Sequence, residues 1–289
     1  MSLHAEKGRD EPAMTPAFVF TPPHPALRGV IREHQIIRLR FGRGTVVPIK
    51  AYWPRPACAL AFYPRDRERI SGLDQGPAWE KPRSAIIGQP TAVTWRQVGH
   101  DYLVYQIELQ PGALFRLTGV PAHRFQDEHI DAEAVMPKGF RAVADAIEDA
   151  TGPAHMIAIA ESYLLSAIHK LQAEAPVDRL AQRVIANPGL DIESLAARAS
   201  LGPRQMRRLF KDRIGAGAKM MARIARFDRV IRLRNAQPEA DWLELAILGG
   251  YADHQHMARD FRTFTGVSPT VFAALETKAP EREFGFKET

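Results

Sequence analysis

The chain has 289 residues, of which 45% are hydrophobic and 25% are charged, the composition of an ordinary globular protein. At roughly 150 residues per domain, the length predicts two domains and the composition excludes a disordered, fibrous or disulfide-stapled chain. The one cysteine, Cys58, cannot form a disulfide within the chain, and no segment has the pattern of a signal peptide or a membrane helix. We therefore expect a cytoplasmic protein that does not enter a membrane.

The net charge of +6 is modest, but the positive charge is concentrated in one segment. The stretch from Arg204 to Arg234 contains eleven Lys or Arg residues and two acidic residues. Its apolar residues recur at helical spacing, which excludes a disordered basic tail. A folded cationic surface most often binds a polyanion, so this stretch predicts a nucleic-acid partner.

The amino-terminal half is predicted to be rich in β-strands. Residues 1–17 lack any periodicity and predict a flexible tail. In residues 18–130, short apolar runs are separated by Pro and Gly. Every second residue is apolar from Ile37 to Phe41, with Arg between, and from Leu103 to Leu109, with Val104, Gln106 and Glu108 between. This alternation is typical of half-buried strands, so we expect an antiparallel β-barrel or sandwich, open or closed.

Residues 131–175 are predicted to form a helical connector. A short helix is expected from about Phe140 to Glu148, and a second helix carries Met156, Ala160 and Tyr163 on one face. This face packs either against a neighbouring domain or against a second copy of the chain, and the pattern leaves both open. Ala175 and Pro176 mark the boundary to the last domain, 176–276, which precedes a tail at 277–289.

The carboxy-terminal domain contains an internal repeat at an offset of 51 residues. In each copy, a helix, a tight turn and a second helix follow one another, with Gly202 and Pro203 opening the second helix of the first copy. The first helix of the second copy begins with Asp241 and Glu244 at the spacing of a capping box. Matching positions are Met206 and Met257, Arg208 and Arg259, Phe210 and Phe261, Lys211 and Arg262, and Gly215 and Gly266.

The second helix of each copy has one apolar face and one face suited to DNA. Arg and Gln carry forked donors that match guanine and adenine in the major groove. A solvated face would be the alternative, but neighbouring arginines repel one another, and the only acid at a compensating spacing in the first copy is Asp212, four residues after Arg208. This favours contact with DNA. The predicted DNA-binding residues are Arg204, Arg207, Arg208 and Lys211 in the first copy, and Gln255, His256, Arg259 and Arg262 in the second.

Two segments resemble the AraC/XylS family of transcription regulators. They are LGPRQMRRLFKDRIG at 201–215 and GYADHQHMARDFRTFTGVSP at 250–269. The resemblance implies two helix-turn-helix units, joined by a long helix at about 219–234, that insert their recognition helices into successive major grooves. The chain departs from the family at Tyr251 and Met257, where many members carry Phe, and at Ala218 and Met221, where Pro and Tyr are usual.

The amino-terminal half resembles the cupin-like domain of some family members in its strands and its turn at Pro111 and Gly112. That resemblance implies either binding of a small effector or dimerisation. A cupin-like barrel also raises an alternative, a metal-dependent enzyme tethered to DNA by its helical domain. The histidines of this half, His24, His34, His100, His123 and His129, are dispersed in the sequence, and His254 and His256 would point apart on a helix. We therefore expect no metal site, no cofactor and no catalytic residue.

These patterns predict an α+β protein with a β-rich, cupin-like amino-terminal domain, two following helices and an all-α double helix-turn-helix domain. The expected function is sequence-specific regulation of transcription, with double-stranded DNA as the partner. A small effector, RNA polymerase and a second copy of the chain remain open as further partners.

Overall fold

The computed structural model describes residues 14–42, 44–72, 77–198 and 200–277. Its strands are β1 (Met14–Thr21), β2 (Ile31–Phe41), β3 (Ile49–Tyr52), β4 (Ala59–Phe62), β5 (Arg69–Ser71), β6 (Trp79–Glu80), β7 (Ser84–Ile87), β8 (Thr94–Gln97), β9 (Asp101–Leu109) and β10 (His129–Asp131). Its α-helices are α1 (Ala113–Thr118), α2 (Ala132–Val135), α3 (Phe140–Glu148), α4 (Pro153–Ala167), α5 (Pro176–Ala186), α6 (Ile192–Arg198), α7 (Pro203–Leu209), α8 (Ala218–Ala236), α9 (Trp242–Gly249), α10 (His254–Thr265) and α11 (Pro269–Thr277). The predicted tails lie outside the described residues except at 14–17 and 277. Strand β1 begins at Met14, so residues 14–17, which were predicted to belong to the first tail, are part of a strand.

The strands form two antiparallel sheets, which confirms the predicted β-rich domain. The larger sheet has six strands in the order β1-β2-β9-β4-β7-β10, and the smaller has four in the order β3-β8-β5-β6. Residues of both sheets enclose a common interior, so the arrangement is a two-sheet sandwich.

The central strand β9 corrects one expectation from the sequence. Every second residue from Leu103 to Leu109 is a large apolar residue, which predicted a half-buried strand, and the side chains of Leu103 and Tyr105 are indeed buried against the helices. Val104 is also buried, on the opposite face between the two sheets. Because β9 lies between β2 and β4 and is covered on both faces, even Glu108 is buried.

The helical connector packs on the outer face of the larger sheet. Helix α3 has the predicted bounds, and α4 buries Met156, Ala160 and Leu164 in the same core as Tyr105. A polar link reinforces this packing, because buried His34 on β2 is hydrogen-bonded to both Tyr105 (2.9 Å) and Glu161 of α4 (3.2 Å). Burial lowers the pKa of His34, although Glu161 opposes the shift. Contact with the β domain thus accounts for one face of α4.

The carboxy-terminal region, from α5 to α11, contains two separate helical cores. One core joins α5, α6 and α7 to the start of α8, with Phe210 and Met221 at its centre. The other joins α9, α10 and α11 to the end of α8, with Phe227 and Phe261 in edge-to-face contact at 4.9 Å. Helix α8 therefore links the two units, and it extends beyond both ends of the predicted 219–234.

None of the α-helices within the described ranges is long and apolar enough to cross a membrane.

Candidate nucleic-acid interface

Helix α7 exposes the arginines of the first unit. Gly202 is the N-cap and Pro203 takes the first helical position, where a missing amide proton costs nothing. Arg204, Arg207 and Arg208 are exposed to solvent. The face opposite them carries Met206 and Leu209, which pack against the first helical core. The two faces predicted from the sequence are therefore present.

The first recognition helix changes its winding after Leu209. Residues Phe210 to Ile214 form a π-helical turn that ends at Gly215, which has a positive φ of 94°. This turn exposes Lys211 and buries Arg213, two residues further on. Lys211 therefore extends the cationic face of α7, whereas Arg213 belongs to the interior.

Side-chain caps and a tight glycine turn position the second recognition helix, α10. Asp241 caps α9 by accepting a hydrogen bond from the amide of Leu243 (2.8 Å), and Asp253 caps α10 in the same way with His256 (2.6 Å). Between them, Gly250 has a φ of 91°, and a Cβ there would lie 2.9 Å from the amide nitrogen of Gly189. Only glycine fits this turn without strain.

Helix α10 exposes Gln255, Arg259 and Arg262 to solvent. His256 differs from the other predicted residues, because it is half-buried and its ring lies edge-on to Tyr251 at 5.3 Å. Its backbone amide is also engaged by the Asp253 cap. The structure therefore places His256 at the edge of the exposed face.

The exposed cations of the two recognition helices have no salt-bridge partner within the part of the chain that the structure describes. This holds for all three arginines of α7 and for Lys211, Arg259 and Arg262. Arginines at neighbouring helical positions repel one another, and a helix that only faces solvent normally carries acids between them. Unpaired guanidinium groups at this density are suited to phosphate and guanine contacts.

Several cations of the basic stretch 204–234 are used inside the protein instead. Arg213 is hydrogen-bonded to Asp178 at 2.6 and 2.8 Å, and Arg223 donates to Asp260 at 2.8 Å. Arg226 lies over the ring of Tyr251. Helical spacing could place Arg213 on the apolar side of its helix, but it could not identify the partners of these cations. Asp178 lies 35 residues from Arg213, and Asp260 lies 37 residues from Arg223.

The internal repeat is preserved in the structure. Phe210 and Phe261 are both completely buried, while Gly215 and Gly266 both end their helices with a positive φ. Since each buried phenylalanine anchors its helix in its own core, the matching residues two positions earlier, Arg208 and Arg259, are presented in the same way.

Trp53 and Arg55 are among the residues of the β domain that contact the helical region, and the sequence did not identify these contacts. Trp53 packs edge-on against Phe272 of α11 at 5.0 Å between ring centroids. Arg55 lies 3.6 Å from Asp228 of α8. Both follow strand β3 in a proline-rich segment with no periodicity, so no sequence signal marked them.

No three His, Cys, Asp or Glu side chains among the described residues converge so that they could hold a metal ion. Cys58 is half-buried before β4, and burial raises the pKa of its thiol to about 12, which disfavours the reactive thiolate.

A family profile described as a helix-turn-helix domain matches residues 195–274, which span both helical units. This match confirms that the carboxy-terminal region is a helix-turn-helix domain. No curated protein matched the chain.

Several solved structures show a distant similarity to the whole chain. ToxT from Vibrio cholerae O395 has 7% identity over 93% of this chain and 100% of its own, with a TM-score of 0.46. ToxT from V. cholerae strain SCE256 with an unsaturated fatty acid bound has 7% identity over 92% and 96%, with a TM-score of 0.44. The AraC-like transcriptional activator CuxR has 11% identity over 75% and 79%, with a TM-score of 0.28. With TM-scores below 0.5, these proteins share only a distant likeness of architecture with this chain.

Proposed function

We propose that this protein regulates transcription by reading two successive major-groove segments of DNA, one with α7 and one with α10. The observation that carries the proposal is the pair of exposed, unpaired cationic faces on helices that occupy equivalent places in the two units. The proposed base-reading residues are Arg204, Arg207 and Arg208 of α7, and Gln255, His256 and Arg259 of α10. Lys211 and Arg262 lie at the later ends of the two faces, where phosphate contact is the role we assign to them.

The linker helix α8 would set the spacing of the two sub-sites. Recognition helices on one face of DNA enter grooves about 34 Å apart, one helical turn of the duplex. Helix α8 contributes buried residues to both cores, with Met221 in the first and Phe227 in the second. A change in its packing would therefore move one recognition helix relative to the other.

We also propose that the β domain is cupin-like and controls the helical domain through their contacts, in response to a small effector. The support is that this domain touches both helix-turn-helix units. Phe115 of α1 lies under Arg213 of the first unit at 4.7 Å, and Trp53 packs on Phe272 of the second. A second copy of the chain and RNA polymerase remain open as protein partners.

The test compares single-arginine variants on DNA sites selected from random sequence by the intact protein. Arg208→Ala and Arg259→Ala should each weaken binding to the preferred site by about 1–3 kcal/mol, because each removes one bidentate base contact. Each variant should also lose preference only at its own sub-site, measured by anisotropy across all single-base changes of that site. Arg141→Ala removes an exposed arginine of α3, outside the DNA-binding domain, and is the matched control, which should bind as the unmodified protein does.

Two outcomes would contradict this assignment. If Arg208→Ala weakens binding to every site variant by one factor, Arg208 contacts phosphate and does not read bases. If the selected DNA contains no second sub-site about one helical turn from the first, the two-groove arrangement is wrong.

A further inference from the structure

A cavity of about 90 Å³ lies between the two sheets of the β domain. Its walls combine apolar side chains, among them Ile37 and Ile87, with the polar side chains of Gln35, Gln106 and Arg96. A single water molecule needs roughly 10–15 Å³ of cavity space on this scale, so the cavity suits a small ligand of several heavy atoms. A mixed lining of this kind is typical of sites that fix a polar group and cover an apolar one.

Behind Arg96 lies a cluster of buried charges in which cations outnumber anions. The Glu68 carboxylate is hydrogen-bonded to Lys81, and it also accepts a hydrogen bond from the hydroxyl of Tyr102. Lys81 is completely buried and Glu68 is 2% exposed. The Arg96 guanidinium stands 3.7 Å from the same carboxylate, longer than a direct hydrogen bond, because the nearer donors occupy it. The Glu68 carboxylate is therefore the counter-charge of two cations, Lys81 and Arg96.

The other charges that line the cavity are balanced separately. Glu108 is paired with Arg32 at 3.0 Å and accepts a hydrogen bond from Gln35. Arg55 lies 3.6 Å from Asp228 of the helical domain. Among the described residues, Arg96 is therefore the cation beside the cavity whose positive charge the nearby carboxylates do not fully balance. Excess buried charge is costly, and an anion placed in the cavity would offset that cost.

A second feature of the cavity wall also calls for a hydrogen-bond acceptor. Trp53 lines the cavity, and its indole Nε1 is buried without a hydrogen-bond partner. Buried donors of this kind are nearly always satisfied in folded proteins, by the protein, by water or by a ligand. A carboxylate offers two acceptor oxygens, which suit one guanidinium and one indole N–H.

We propose that this cavity is the effector site and that its ligand is a small monocarboxylate, held by Arg96 and the indole N–H of Trp53 with its apolar part against Ile37 and Ile87. This inference rests on the proposed effector control and names the chemical class of the effector. The same cavity wall provides the route to the DNA-binding domain. Trp53 contacts Phe272 of α11 and Arg55 pairs with Asp228 of α8, so a ligand that shifts residues 52–57 acts on both helices.

The experiment titrates the full-length protein with acetate, propionate, butyrate and benzoate, each compared with its neutral amide. Binding is measured by calorimetry and by tryptophan fluorescence, because Trp53 lines the cavity. The titration is made at pH 6, at which Lys81 is protonated because burial lowers its pKa only to about 7. At least one carboxylate should bind saturably and about tenfold more tightly than its amide, since only the anion forms a charge-assisted bond with Arg96.

Three variants test the positive charge of Arg96 and the volume of the cavity separately. Arg96→Met should abolish the preference for carboxylate over amide while leaving Lys81 and Glu68 as a balanced pair, so the domain should still fold. Ala57→Leu should weaken the binding of every compound by filling the cavity. The control, Arg69→Met on the same sheet, removes an exposed arginine and should bind as the unmodified protein does.

The proposal is overturned if none of the four carboxylates binds, or if each amide binds as tightly as its acid. It is also overturned if Arg96→Met keeps the full preference for the anion. DNA binding is measured separately with the ligand-free protein. If the protein binds a carboxylate but not DNA, the proposed regulation of transcription is wrong and the carboxylate site is still supported. If it binds DNA but no carboxylate, only the carboxylate site is wrong.

Discussion

Glu68 shows how one buried carboxylate can hold a polar cluster together inside a β domain. Burial by itself raises the pKa of a carboxyl group, but the positive charges of Lys81 and Arg96, together with hydrogen bonds from Lys81 and Tyr102, hold the pKa of Glu68 well below its usual range. The group therefore stays ionised. Lys81 shows the opposite balance, because burial and the charge of Arg96 lower its pKa more than Glu68 raises it.

Removing the carboxylate charge should therefore cost far more than removing the lysine. Glu68→Gln leaves Lys81 and Arg96 buried without a counter-charge, and we expect the free energy of unfolding to fall by about 3–5 kcal/mol. Lys81→Met leaves Glu68 paired with Arg96 alone and should cost clearly less. Urea denaturation of both variants measures the difference, and equal losses would show that the cluster does not depend on Glu68 for its charge balance.

The pH dependence of stability provides an independent check on Lys81. Between pH 7 and the ordinary lysine pKa of 10.5, the unfolded chain holds this proton and the folded protein does not. The unfolded state then binds more protons, so the free energy of unfolding should rise with pH across this window. Lys81→Met should remove this part of the rise. A slope identical in the two proteins would show that Lys81 keeps its proton when folded.

At the scale of elements, the π-helical turn after α7 ties the first recognition helix to the rest of the molecule. Arg213 on this turn forms a buried ion pair with Asp178 of α5 and lies over the ring of Phe115. Gly112 approaches the same carboxylate so closely that a Cβ would lie 2.3 Å from Asp178 Oδ1. Asp178 is therefore one of the points at which the first unit and the β domain meet.

Asp178→Asn should loosen this junction. Because the substitution leaves the Arg213 charge buried without a partner, we expect a loss of about 3–5 kcal/mol in the free energy of unfolding. DNA affinity should fall mainly at the sub-site read by α7. The matched control is Glu174→Gln, which breaks the exposed pair with Arg179 (3.2 Å) on the same helix and should change stability by at most about 1 kcal/mol. Similar losses in the two variants would contradict the role given to Asp178.

At the scale of the whole molecule, both cores of the DNA-binding domain lie within one stretch of chain. The first core begins at Val177 and the second ends at Phe272, so residues 176–276 contain every buried residue of the two units. This supports the expectation that the domain folds without the β domain, although the isolated domain would expose the surfaces that Trp53 and Phe115 cover.

Residues 176–276 expressed alone should therefore give the circular dichroism of a helical protein and bind DNA. The affinity should fall steeply with salt, by a log–log slope of about 0.9 for each phosphate neutralised, because the exposed arginines displace counterions. Anisotropy titrations between low and physiological salt measure this slope. An unfolded fragment would contradict the independence of the domain, and a flat salt dependence would contradict its electrostatic contact with DNA.

The sequence by itself determined the features that depend on neighbours along the chain. The N-caps at Gly202 and Asp241 and the faces of α7 and α10 follow from spacings of a few residues, and the structure contains them. Of the predicted capping box, the described residues show only the Asp241 cap on the amide of Leu243. Helix α3 was predicted with its bounds for the same reason. Such patterns are local because each turn of a helix fixes which side chains share a face.

Only the tertiary structure decided which charges stay exposed and which are neutralised. Helical spacing places Arg208 and Arg213 on different faces, but only the structure shows that Arg213 is neutralised by Asp178, 35 residues away, while Arg208 faces solvent. Likewise, the local sequence pattern predicted neither the cavity beside Arg96 nor the contact of Trp53 with Phe272. The physical reason is that burial and pairing are set by contacts between distant segments, which exist only once the sheets and helices have packed.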